Sequence, residues 1–93
     1  MPIIMSRLLF GNKCKRETIM NVYVEKQIGK NIRRIRERAG MTQEILAAKL
    51  QLRGCDITRS AVAKIEVGQR HLYVDELILL KEIFSVSYDE ILS

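Results

Sequence analysis

An all-α domain of five short helices is predicted from three observations. Apolar residues recur at helical spacing in successive segments, each segment is bracketed by a capping residue and a glycine or turn, and no run alternates with the period of a strand. Ninety-three residues suit one compact domain. With 47% hydrophobic residues and a single proline, the chain has apolar mass for a core and little of the low-complexity sequence that marks general disorder.

The first helix is read from Val24, Ile28, Ile32, Ile35 and Ala39, whose steps of four, four, three and four share one face, and Gly40 ends it at a left-handed position. Lys26, Lys30, Arg33, Arg34, Arg36 and Arg38 fall between them, so its outer face is basic. Thr42 caps a second helix with Gln43 and Glu44 in the first turn and Leu46, Ala47 and Leu50 inward, ending before Arg53-Gly54. Thr58 caps a third, Arg59 to Glu66, with Ala61, Val62 and Ile65 inward and Gly68 as its stop. Asp75 is the expected cap of a fourth, which carries Leu77, Leu80, Ile83 and Phe84. A fifth opens at Ser87, where Ser87-Tyr88-Asp89-Glu90 matches a capping box and Val86 and Ile91 a hydrophobic staple. The expected core is Leu46, Val62, Ile65, Leu77, Leu80 and Phe84.

The net charge of +5 is unevenly laid out. Residues 1–70 carry fifteen basic and six acidic side chains, residues 71–93 one basic and five acidic, so a body of +9 precedes an end of −4. Such a body favours an acidic partner, nucleic acid or an anionic surface. Apolar runs such as Ile3 to Met5, Leu8 to Phe10 and Leu77 to Leu80 fall far short of the about 20 residues of a membrane span, and no secretory pattern opens the chain; a soluble, cytoplasmic protein is expected. Cys14, Cys55 and the single His71 lie on remote segments without metal-ligand spacing, so no metal, cofactor or disulfide framework is expected. Without a phosphate-binding glycine loop or nucleophile motif, an enzyme is the weakest class.

Two short helices in tandem, with a basic helix before and an apolar pair after, suit a helix-turn-helix. Residues Ile28-Gly29-Lys30-Asn31-Ile32-Arg33-Arg34-Ile35-Arg36, Met41-Thr42-Gln43-Glu44, Leu46-Ala47-Ala48-Lys49-Leu50, Lys64-Ile65-Glu66-Val67-Gly68 and Val86 to Leu92 together resemble the lambda-repressor-like, Cro/C1-type (XRE) DNA-binding family over about residues 24–93. The resemblance implies a compact five-helix bundle whose third helix, 59–66, enters the major groove of double-stranded DNA while the second crosses the backbone. It assigns base reading to Arg59, Ser60 and Lys64, with Arg59 foremost because a guanidinium donates twice to guanine. Backbone contacts fall to Gln43, Thr58, Gln69, Arg70 and Arg53, and Arg36 with Glu66 is implied as a structural ion pair between the first and third helices. Against these roles, Thr58 is equally a plain helix cap and Lys64 a solvated side chain.

Three features depart from the family. The stretch Gln51 to Ile57 makes the turn about five residues longer than usual, and either lifts Arg53 toward a phosphate or bulges into solvent. Ile45 stands where a polar residue is usual. Residues 1–23 form an N-terminal extension ahead of the domain 24–93; with Met20 as an alternative start, it reads as an upstream addition, a disordered basic arm, or a dimerising segment using Ile3, Ile4, Leu8, Leu9 and Phe10. The expected function is a transcriptional regulator of bacterial or phage type, a repressor, acting as a homodimer. The alternative is an antitoxin or mobile-element accessory protein working mainly through a protein partner.

Overall fold

The computed structural model describes the backbone of residues 13–93 and the side chains from Tyr23 onward. Among the described residues there are five helices and no strand: α1 (Lys13–Arg38), α2 (Gln43–Leu52), α3 (Arg59–Glu66), α4 (Val74–Phe84) and α5 (Tyr88–Leu92). The apolar segment of residues 3–10 lies outside the described residues.

α1 begins eleven residues before the Val24 start read from periodicity, and so crosses the boundary drawn at residue 23. Within the stripe Val24 is exposed, and the helix meets the core from Ile28 onward. Inward-facing residues are Ile32 and Ile35, with Ile28 partly covered, whereas Ala39, expected inward, is exposed. At its end Met41 N–H donates to the Arg36 carbonyl and Gly40 N–H to that of Glu37, with Gly40 at φ +74°. This paired closure needs a left-handed residue, and α2 ends the same way around Gly54.

Thr42, Thr58 and Ser87 cap α2, α3 and α5, their hydroxyl oxygens accepting from Ile45, Ala61 and Glu90 N–H, each at 3.1 Å. The fourth helix differs from expectation. It begins at Val74, and its first turn is closed by Glu76 Oε1 accepting from Tyr73 N–H at 3.0 Å, while Asp75 sits inside the helix and accepts from Glu76 N–H. The Glu90 carboxylate does not complete the expected capping box of α5; it is taken by Arg38 on α1.

α1 packs on α3 and α5, and α2 on α3 and α4. Between them lies a core of Ile32, Ile35, Leu46, Ala47, Leu50, Ile57, Val62, Ile65, Leu80 and Ile91. Leu77 and Phe84 are only half-buried against it. α1 and α3 approach so closely that a Cβ at Gly29 would stand 2.3 Å from the Ile65 carbonyl oxygen. The first and last helices are joined by the buried Asn31, whose Nδ2 donates to the Ile91 carbonyl at 2.8 Å.

Candidate nucleic-acid interface

The long α2–α3 turn is built into the fold. Ile57 is 2% exposed, and its carbonyl accepts from Gln51 Nε2 at 2.6 Å, so the extra residues are pinned at both ends. Arg53 caps α2, solvent-exposed, with its guanidinium bonded to the Lys49 carbonyl at 3.1 Å. From this anchor the chain enters α3 through Thr58.

α3 has two unlike faces. Val62, Ile65 and Glu66 are buried, whereas Arg59, Ser60 and Lys64 are exposed. Among the described residues, no carboxylate lies within ion-pair distance of Arg59 or Lys64. An exposed, uncommitted guanidinium at the first turn of a short helix is free to meet an incoming hydrogen-bond acceptor.

The buried face is held by charge as well as by packing. Arg36 Nε donates to Glu66 Oε2 at 2.6 Å and Nη2 to Oε1 at 3.1 Å, while Nη1 donates to the Met41 carbonyl at 2.7 Å. Gln43 Nε2 donates to the same Oε1 at 3.0 Å. One carboxylate therefore ties α1 and the first residue of α2 to the last residue of α3, and Arg36 carries the link on to the α1–α2 turn. The hydrogen bonds it donates to Glu66 raise the Arg36 pKa above its ordinary value against the opposing effect of burial, so the guanidinium stays charged.

The remaining sequence-assigned residues are placed differently from one another. Thr58 spends its oxygen lone pair on the α3 cap, and Gln69 is exposed after the helix stop. Arg70 is committed: both its terminal nitrogens donate to the Glu76 carboxylate at 2.9 Å, it also donates to the His71 carbonyl, and it lies over the Tyr73 ring. The bond to Glu76 raises its pKa as well. Arg70 thus fastens the α3–α4 loop to the first turn of α4, and His71 beside it pairs with Glu25 of α1.

Residues that sequence reasoning passed over hold this arrangement. Gly29, Asn31 and Ile57 set the approach of α1, α3 and α5, and Glu76 closes the loop. Only Gly29 advertised itself, as a glycine inside a helical pattern that normally costs about 1 kcal/mol against alanine. Cys55, half-buried in the turn, has its thiol pKa pushed up chiefly by burial, which suits a protonated thiol. No group of His, Cys, Asp or Glu among the described residues is placed to hold a metal, and no helix there is long and apolar enough to cross a membrane.

A helix-turn-helix family model matches residues 32–91, from the last two turns of α1 to α5. A search of curated proteins returns no match. Among solved structures, the chain is similar to the crystal structure of the DNA-binding domain of BldD, at 28% identity and a TM-score of 0.66, covering 77% of this chain and 97% of that one. The match spans the two tandem helices, the end of the basic helix before them and the pair that closes the core, and on this ground the chain belongs to the Cro/C1-type (XRE) helix-turn-helix family.

Proposed function

We propose that the protein is a sequence-specific DNA-binding transcription regulator that lays α3 in the major groove. The observation that carries this reading is the division of α3: one face is locked to α1 and α2 through Arg36, Gln43 and Glu66, and the other presents Arg59, Ser60 and Lys64 to solvent. A rigid support behind exposed donors is what base reading requires, because a misplaced guanidinium loses the paired bonds to guanine O6 and N7. Arg59 is the leading reader, with Ser60 and Lys64 beside it. Thr58, Gln69 and Arg53 supply backbone contacts, while Gln43 and Arg70 serve first as struts for α2 and for the loop after α3.

The protein acts in this reading as a cytoplasmic repressor, without catalytic activity, and as a homodimer on a two-fold operator whose half-sites lie about 34 Å apart. Selection from a random duplex pool with the purified protein should return an inverted repeat with a guanine at the Arg59 position. Arg59→Ala is then expected to lower affinity for that site by about 5- to 150-fold, equivalent to about 1–3 kcal/mol, and to relax preference at that one position. Unchanged specific affinity with an intact fold removes Arg59 from base reading. A second reading, compatible with the first, is favoured by Ile45 and Leu52, exposed by 44% and 84% on the same face of α2 two turns apart, with the small Ala48 between them. Such a stripe suits a protein partner of the antitoxin or accessory kind, and a stoichiometric partner with no preferred DNA sequence would put this reading first.

A further inference from the structure

Where α1, α2 and α3 meet, they enclose an open concavity of about 580 Å³ beside the start of the recognition helix. Its walls include Arg33, Arg36, Gln43, Glu44 and Arg59. Two of these are occupied, since Arg36 and Gln43 are both bonded to Glu66. Arg59 has no carboxylate partner among the described residues, and Glu44 contributes one negative charge to the lining.

Arg33 is the group whose role the helix-turn-helix reading leaves open. Its Nε donates to Glu37 Oε2 at 3.2 Å, one helical turn along α1, and the two side chains are 61% and 54% exposed. A pair so solvated is only weakly held. A phosphate offers a guanidinium stronger, bidentate hydrogen bonds, and counterion release adds to the exchange. Arg36 approaches Glu37 only to 4.0 Å and is fixed elsewhere, so Glu37 has Arg33 as its principal partner.

Resting on the DNA-binding reading, we propose that Arg33 grips a backbone phosphate at the mouth of this concavity, and that Glu37 is its built-in competitor. On binding, Arg33 leaves Glu37 for the phosphate, and the released carboxylate opposes the DNA. Arg33 thereby adds affinity without sequence preference, and Glu37 sets how much of it is realised.

The test measures affinity of the full chain for its selected duplex and for a scrambled duplex across a salt series. Arg33→Gln is expected to weaken both by about 8-fold at 0.1 M salt and to reduce the slope of log affinity against log salt by about 0.9. Glu37→Gln is expected to strengthen both by about 1.5- to 5-fold, the equivalent of an exposed ion pair, and to lose that gain when Arg33→Gln is also present. Both positions are exposed, so thermal midpoints should stay near that of the parent protein and serve as the check on folding. An unchanged affinity and slope in Arg33→Gln overturns the proposal while leaving the DNA-binding reading in place. So does a loss confined to the selected duplex, which would make Arg33 a base reader, or a Glu37→Gln gain that survives without Arg33. A parent protein with no salt-dependent affinity for any duplex overturns the reading itself, and the proposal falls with it.

Discussion

Glu66 shows how one residue links stability to the interface. Its side chain is 1% exposed, and it accepts two bonds from Arg36 and one from Gln43. Burying a carboxylate is costly in isolation, and the cost is offset here only because each oxygen has donors and the countercharge is in contact. Removing one partner should therefore cost more than the pair is worth. Glu66→Ala leaves Arg36 charged among buried neighbours, and a loss of about 3–5 kcal/mol is expected in urea unfolding. The double substitution Arg36→Met with Glu66→Leu should recover much of that loss, because two apolar groups of similar volume need no countercharge. If both variants unfold at the same urea concentration, the carboxylate is acting through packing rather than charge. DNA affinity separates the two functions of the pair: the apolar version is expected to fold, yet to hold α3 less exactingly because Gln43 loses its acceptor.

At the scale of elements, sequence reading succeeded where the signal was local. Thr42, Thr58 and Ser87 each show their caps within three residues, and the bounds of α2 and α3 follow from those caps and the glycine stops. Reading failed where a partner lay far along the chain. Asp75 looks like the cap of α4, but Glu76 closes that turn because its carboxylate is already held by Arg70. Ile57 reads as part of a surface loop until the core of α2 and α3 is seen to enclose it, and Asn31 reads as one more polar residue until Ile91 arrives 60 positions later. The outward placement of Arg59, Ser60 and Lys64 on α3 was legible because exposure answers to helix phase, whereas the commitment of Gln43 and Arg70 depends on which carboxylates the fold brings to them. Gly29 stands between these cases. In a free helix, Gly29→Ala should stabilise by about 1 kcal/mol. Here the added methyl would stand 2.3 Å from the Ile65 oxygen and 2.6 Å from that of Glu66, both backbone atoms that a rotamer change cannot move. The clash is expected to win, lowering the thermal midpoint by about 5–20 °C, the range for a loss of about 1–3 kcal/mol in a domain of this size. A raised midpoint would mean that α1 and α3 are further apart than their packing indicates.

The whole molecule is closed by its last five-residue helix. Its charge is arranged for this: the acidic end of the chain is tied back to the basic body through Arg38–Glu90 and Arg70–Glu76, which leaves Arg59 and Lys64 on α3 without carboxylate partners among the described residues. The ion pair to α5 is exposed and worth little, so apolar burial must do most of the holding. Ile91 is 0% exposed, and its carbonyl satisfies the buried Asn31 of α1. Deleting residues 87–93 would open the space filled by Ile91, at about 2–5 kcal/mol, and leave the Asn31 amide without its acceptor, at about 1–3 kcal/mol more. Together these approach the entire stability of a small domain, about 5–15 kcal/mol. The truncated chain is therefore expected to lose most of its helical circular dichroism at 37 °C, while Ile91→Val, which keeps the carbonyl and most of the volume, should cost only about 0.5–1.5 kcal/mol. Because α1 is held between α5 and α3, the truncation should also abolish DNA binding without touching a residue of the interface. A deletion variant that stays helical and binds its duplex would show that α1 to α4 suffice without α5; loss of both together would show that the fold behind the proposed reading face of α3 is completed by α5.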